Sequence, residues 1–268
     1  MGGLLFNAAF GFYAIGLFHS VAAFVSKRDV FVRIAVVSVG IAFSFHTAFL
    51  VFRGFEKDFF PLTGLREGLA FFAWVVSLCF LIAYSRYRIK VLGIFFLPLV
   101  AALMLSTVFI QASPIPDILR SSWVYLHTSL MFLAYGMFFG TFIAGLFYLL
   151  QERELKSKKP RTFYDQLPSL RALDDLFLKF LIAGFTFMSF GLIVGVIWAE
   201  QQWVNGWFKD PKVIAAMTTW GIYLALLYVR LTLGWRGRRV ALLGMLGFCS
   251  VLFTFLGVAF FGGQHVFG

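Results

Sequence analysis

Eight long apolar stretches, separated by short polar ones, follow one another along the chain, near residues 3–25, 34–53, 67–85, 90–111, 123–150, 177–198, 213–233 and 240–261. A helix rises 1.5 Å per residue, so about 20 residues cross the ~30 Å hydrocarbon core of a bilayer. Each stretch therefore predicts a transmembrane helix, and the fold expected is all-α, a polytopic membrane bundle of about eight spans. The fifth stretch is the longest and has to tilt or project beyond the lipid.

The polar segments carry the orientation. Seventeen of the 23 Lys and Arg fall in four clusters: Lys27, Arg28 and Arg33; Arg86, Arg88 and Lys90; Arg153, Lys156, Lys158, Lys159, Arg161, Arg171 and Lys179; and Arg230, Arg236, Arg238 and Arg239. The other six, Arg53, Lys57, Arg66, Arg120, Lys209 and Lys212, lie between the alternate spans. Basic residues accumulate on the cytoplasmic side, which makes 54–66, 112–122, 199–212 and the tail after Gly262 the outer segments. An even number of spans then puts both termini outside (N-out, C-out). The net charge of +11, which would suggest nucleic acid in a soluble protein, is accounted for by this asymmetry. With 61% hydrophobic and 13% charged residues the chain is far more apolar than a soluble domain. Cys79 and Cys249 sit in apolar runs without any C-x-x-C, which excludes a dithiol oxidoreductase and a c-type cytochrome. No basic segment precedes the first run, so it reads as a first span and not a cleaved signal peptide.

Polar groups inside such spans are few and each carries information. Of the four histidines, His19 reads as a helix-packing hydrogen-bond donor. His46, in Phe43-Ser44-Phe45-His46-Thr47, lies past mid-membrane with no carboxylate in its run to pair with. His127 and His265 are far apart in sequence, yet the topology places both at the outer face, where two imidazoles can serve as axial ligands of one metal. Between them in sequence runs a Trp-rich outer segment with Trp198, Trp203 and Trp207, followed by Asp210 and Pro211. An interfacial aromatic belt would explain isolated tryptophans; a continuous aromatic shelf beside two imidazoles suits a flat, apolar, metal-bearing ligand, which describes haem. Arg53, Arg66, Arg120, Lys209 and Lys212 are outer cations that could meet its propionates. Asp210 before Pro211 has a second reading, as the N-cap of the seventh helix. Gly136/Gly140 and Gly191/Gly195, spaced by four, mark close helix packing. A small-solute transporter would need discontinuous helices and ionisable groups near the midplane, and these are scarce.

At this loop the sequence resembles the haem-handling proteins of cytochrome c biogenesis, whose signature is a Trp-rich outer loop ending in Trp-Asp (the WWD motif). The CcsA (ResC) branch is the nearer and the HemX branch lies close to it. The resemblance covers almost the whole chain: His46-Thr47 in the second span, Gly64-Leu65-Arg66-Glu67 and Trp74 at the third, Leu126-His127-Thr128 at the start of the fifth and Gly145 to Gln151 at its exit, Gly191-Leu192 and Ile197-Trp198-Ala199 in the sixth, and Gln264-His265 near the end. The family loop ends W-x-W-D-P-K-E; here Trp207-Phe208-Lys209-Asp210-Pro211-Lys212-Val213 has Lys and Val where Trp and Glu are expected, a looser form closer to the HemX branch.

The resemblance implies one haem-handling membrane domain over 1–268, best marked over 64–268, in a bacterial-type inner (plasma) membrane or its thylakoid equivalent. It implies that haem b is translocated or presented at the outer face for cytochrome c maturation. His127 and His265 would ligate the iron there, Trp198, Trp203, Trp207 and Asp210 would hold the macrocycle, and His46 would mark a deeper site. Apocytochrome c and a ResB/CcsB-type membrane protein would be the partners, with no classical enzymatic activity in the chain itself beyond a share in a cytochrome c synthase. The HemX branch implies a role in haem or tetrapyrrole synthesis instead. The topology can be checked directly. Reporter domains fused after residue 160 and after residue 268 should report opposite sides; both in the cytoplasm would refute the scheme.

Overall fold

A computed structural model describes residues 1–57, 62, 64–110, 120–157, 166–202 and 206–255. They form eight α-helices: α1 Gly2–Ser26, α2 Asp29–Lys57, α3 Leu65–Tyr87, α4 Leu92–Phe109, α5 Ser122–Lys156, α6 Leu170–Gln202, α7 Pro211–Leu231 and α8 Arg238–Phe255, with a 3-10 turn at Trp207–Lys209. All eight are long and apolar enough to cross a membrane. Among the described residues there is no strand.

Each predicted span is a helix, but several run further than their apolar cores. α2 begins at Asp29 and α6 at Leu170, both ahead of the predicted spans, and α5 continues to Lys156. The extra turns of α5 and α6 carry ion pairs along one face, Lys156–Glu152 at 2.7 Å and Lys179–Asp175 at 2.8 Å, while Asp29 at the start of α2 pairs with Lys90 at 2.5 Å. Such i,i+4 pairs contribute about 0.3–0.5 kcal/mol each, enough to continue a helix already nucleated in lipid. Apolarity marks the part of a helix inside the hydrocarbon and is silent about the turns outside it. α1 and α3 stop at Lys27 and Arg88, both left-handed (φ 57° and 52°) and both basic. Residues of two predicted cytoplasmic clusters thus also close helices, at ends where the helix dipole favours positive charge.

The helices fall into two compact units, α1–α4 and α5–α8. In the first, α1 packs on α2 and α4, and α3 on α4 and α2. Gly93 of α4 receives the Ser20 side chain of α1. Trp74 of α3 stacks on Phe43 (5.0 Å) and on Phe71 (5.6 Å), and its indole N–H donates to Thr47 Oγ1 at 2.8 Å.

In the second unit the α5–α6 contact is the most extensive. Three glycines of α6 receive side chains of α5. A Cβ at Gly184 would lie 2.7 Å from the Phe138 ring, at Gly191 2.9 Å from Met131 Sδ, and at Gly195 2.6 Å from His127 Nδ1. Steps of seven and four residues up α6 are matched by the same steps down α5, as in one antiparallel register. Helices in lipid gain nothing from hiding apolar surface from each other, so small residues that permit backbone contact are what hold them. α8 packs on α5 and α7, and Phe138 of α5 stacks on Tyr223 of α7 at 3.6 Å and 6°.

At the opposite end of this unit Arg230 of α7, its side chain 4% exposed, binds Asp174 of α6 and donates to the Trp235 carbonyl at 2.8 Å. Removing one member of a buried ion pair leaves the other uncompensated, at a cost of about 3–5 kcal/mol. Asp174→Ala should therefore lower the Tm of the detergent-purified protein by several degrees. Lys179→Ala, which breaks an exposed pair on the same helix, should shift stability by less than ~0.5 kcal/mol. Equal effects would show that the Arg230 pair is not a structural tie.

Candidate functional site

His127 lies in the second turn of α5, a helix capped by Ser121, whose hydroxyl accepts from the Trp123 N–H at 3.4 Å. Its ring sits in the notch left by Gly195, and its Nδ1 is 2.7 Å from the Gly191 carbonyl. A carbonyl only accepts, so Nδ1 carries the proton and Nε2 the lone pair. A second bond of this kind is what orients a metal-binding imidazole and fixes its tautomer. The glycines expected to serve packing do pack α6 on α5, and the side chain that fills the upper notch is a candidate ligand.

α6 continues past this notch to Trp198, one turn on and on the same face as Gly195. Trp198 is 7% exposed. Past α6, the half-buried Trp207 opens the 3-10 turn and its indole N–H donates to Glu200 Oε2 at 2.5 Å, tying the returning loop to the last turns of α6. Asp210 is buried and caps α7. Its Oδ1 accepts from the N–H groups of Lys212 (2.8 Å) and Val213 (3.4 Å), with Pro211 in the first helical position. The capping role expected from the Asp-Pro pair is thus realised. Below the cap, the Trp220 indole donates to Ser189 Oγ of α6 at 2.9 Å. The end of α6, the turn and the start of α7 are therefore one hydrogen-bonded assembly with His127 on its α5 side. Trp203 and His265 lie outside the described residues.

His46 belongs to the first unit. It is fully buried, its Nδ1 is 3.4 Å from the Tyr13 hydroxyl of α1, and the two rings meet edge to face at 5.9 Å. Its Nε2 is buried and has no hydrogen-bond partner among the described residues. An unmet buried polar group costs about 1–3 kcal/mol. With the proton on Nδ1, shared with Tyr13, Nε2 presents a lone pair in an apolar interior, the form in which imidazole takes a metal. His19 behaves as a helix-packing group: its Nδ1 is 2.9 Å from the Ile15 carbonyl of its own helix, and its ring meets Phe18 and Phe31.

Three participants escaped the sequence. Tyr13, the partner of His46, is 33 residues away; an intramembrane Tyr, whose hydroxyl needs a partner, was the available signal. Glu200, which holds Trp207, was visible only as part of the loop. The Gly191 carbonyl is a backbone group, and no residue type announces it.

With this geometry in hand, the relatives are informative. A family model described as cytochrome c assembly protein matches residues 4–265. The cytochrome c biogenesis protein CcsA of Heterosigma akashiwo is 31% identical, the match covering 82% of this chain and 80% of that one. CcsA of Gloeobacter violaceus is 29% identical, covering 99% and 95%. The solved structure of cytochrome c heme lyase CcmF superposes with a TM-score of 0.72 at 18% identity; 96% of this chain is covered and it spans 46% of CcmF, so this likeness speaks for the fold alone. A match of the family model over nearly the full length, with CcsA relatives aligned over most of both chains, shows that this chain belongs to the cytochrome c assembly protein family, in its CcsA-type branch.

Proposed function

We propose that the chain handles haem for cytochrome c maturation, holding it at the outer face for an apocytochrome c. The observation that carries this reading is the state of His127: Nδ1 bound by the Gly191 carbonyl at 2.7 Å, in a notch that Gly195 leaves open. This directs Nε2 as an iron ligand. His265 is the proposed second ligand, as in the family. Two neutral imidazoles close both axial positions and favour carrying over oxygen chemistry. Trp198, Trp203 and Trp207 would supply the apolar wall for the macrocycle, with Asp210 fixing the loop that bears them and, in this reading, contributing to the site. His46, with its buried and unpartnered Nε2, is the proposed ligand of a deeper site. Haem b is the form proposed, because the chain has no C-x-x-C-H to attach it covalently. The haem supplies the vinyl groups that take the two thiols of an apocytochrome C-x-x-C-H; the protein supplies binding and orientation. A ResB/CcsB-type membrane protein is the proposed partner, and a bacterial inner or thylakoid membrane with N-out, C-out topology the proposed setting.

The visible spectrum of the detergent-purified protein is the primary test. A six-coordinate b-type spectrum is expected, and a preparation that neither contains nor takes up haem would overturn the reading. His127→Ala should lose or alter that spectrum and abolish cytochrome c assembly, while His19→Ala should do neither.

Gly195→Ala places a methyl about 2.6 Å from His127 Nδ1, so the ring must leave the Gly191 carbonyl. Loss of such an orienting bond lowers metal affinity by about 10–100-fold, and haem retention should fall accordingly. Gly221→Ala on α7, where nothing lies within 4 Å, should retain haem normally. If the two behave alike, the notch does not position a ligand.

For the loop, Trp207→Ala should reduce haem content in a protein that still inserts. Asp210→Asn, which can still cap, separates Asp210's two roles: unchanged haem handling would confine Asp210 to the helix cap.

A further inference from the structure

The first unit contains a cavity of about 430 Å3 between the ends of its helices nearest residues 54–66. Phe49, Leu50, Arg53 and Glu56 line it from α2, and Arg66 and Glu67 from α3. His46, Leu50 and Arg53 recur at i, i+4 and i+7. One face of α2 therefore carries the buried imidazole, the cavity wall and a cation in sequence. The Phe49 ring, which lines the cavity, also meets the His46 ring at 6.2 Å. Arg53 is two turns past His46, roughly 10 Å along the axis.

The charged groups here are not equivalent. Arg53 is engaged, 2.7 Å from Glu56 and 3.6 Å from the buried Glu67. Arg66 is exposed and makes no ion pair among the described residues. It also stands in the first turn of α3, at the positive end of that helix's dipole. The cavity thus joins an uncommitted guanidinium at its rim to an apolar floor that leads to the only described histidine whose ring nitrogen is buried without a partner.

We propose that this cavity takes the carboxylate edge of the ligand whose iron His46 binds, and that Arg66 is the residue that reads those carboxylates. The inference rests on the haem-handling reading above. A guanidinium and a carboxylate meet through two parallel N–H···O bonds, a geometry that adds specificity to affinity. Arg53, already held by two glutamates, sets the rim. Arg66 then distinguishes a dicarboxylate porphyrin from the same macrocycle with its carboxylates masked.

The test uses the full chain with His127→Ala, so that binding reports on the deeper site. Haemin and haemin dimethyl ester, whose carboxylates are blocked, are titrated into the detergent-solubilised protein and followed by visible absorption. Adding Arg66→Gln should weaken haemin binding about tenfold or more, the scale of a lost hydrogen bond to a charged group, and leave the ester unchanged. Arg66→Lys, a point charge without the fork, should fall between. Unaltered haemin affinity in Arg66→Gln, or an equal loss for haemin and ester, overturns the assignment; intact ester binding shows that the variant has folded. His46→Ala tests the underlying reading separately, because it should abolish binding of both porphyrins. If both still bind with their original spectra, the transmembrane site is wrong and the role of Arg66 falls with it.

Discussion

The contact between α5 and α6 is the constraint on which the placement of His127 depends. Glycines at 184, 191 and 195 present no side chain, so Phe138, Met131 and His127 enter α6 at three successive levels. The arrangement works only in one register. A slip of one residue turns the face of a helix by about 100° and would set His127 against a side chain instead of the notch. The Gly191 carbonyl, already in the α6 ladder, keeps a second lone pair for His127 Nδ1 at 2.7 Å. Helix packing and the orientation of the His127 ring are therefore the same set of contacts, and neither can be altered without the other.

Water is absent from the hydrocarbon, so a polar group there is either paired within the protein or costly. Most of the polar groups of the spans follow this rule. Thr47, Ser77, Thr141 and Ser189 each donate to a carbonyl three or four residues back, and Thr219 meets Thr254 across α7 and α8 at 2.9 Å. The indoles of Trp74 and Trp220 end on hydroxyls. Among the described residues, Nε2 of His46 is one of several buried side-chain atoms without a hydrogen-bond partner, with Tyr223 Oη and Arg230 Nε among the others. A residue retained only for packing would gain by being Leu or Phe. The second nitrogen of His46 meets no partner among the described residues, and the proposed deeper site rests on that feature.

The eight spans were legible because hydrophobicity and length are read by the same solvent that selects them, and α7 was legible to its first residue through Asp210-Pro211. The outlying turns of α2 and α6 were not, because apolarity marks only the part of a helix inside the lipid and ion pairs such as Lys179–Asp175 can continue it beyond. The Trp-rich segment could be recognised from composition, and so could His46 as a group without a carboxylate. Tyr13 and the Gly191 carbonyl could not, since both depend on which helices touch and in which register. Gly191/Gly195 was read as packing alone for the same reason: a spacing of four tells that something approaches, not that it is His127.

The two places where the loop departs from the family pattern have a structural account. Asp210 is the N-cap of α7, so Val213 stands at the third helical position, where a Glu would reach back to the Asp210 N–H and complete a capping box. Here that N–H is bonded instead to the Trp207 carbonyl at 3.1 Å by the 3-10 turn. The turn does locally what the missing glutamate would do, and it also fixes Trp207, whose indole is held by Glu200. Lys209 closes the same turn, exposed, with its ammonium 5.8 Å from the Phe208 ring. Both substitutions thus fall on groups that shape the approach to α7, while Asp210 keeps its cap and Trp207 its bond to Glu200. The 3-10 turn at Trp207–Lys209 thus takes its order from its own backbone bond and from Glu200 of α6, where a capping box would have drawn it from the helix it enters.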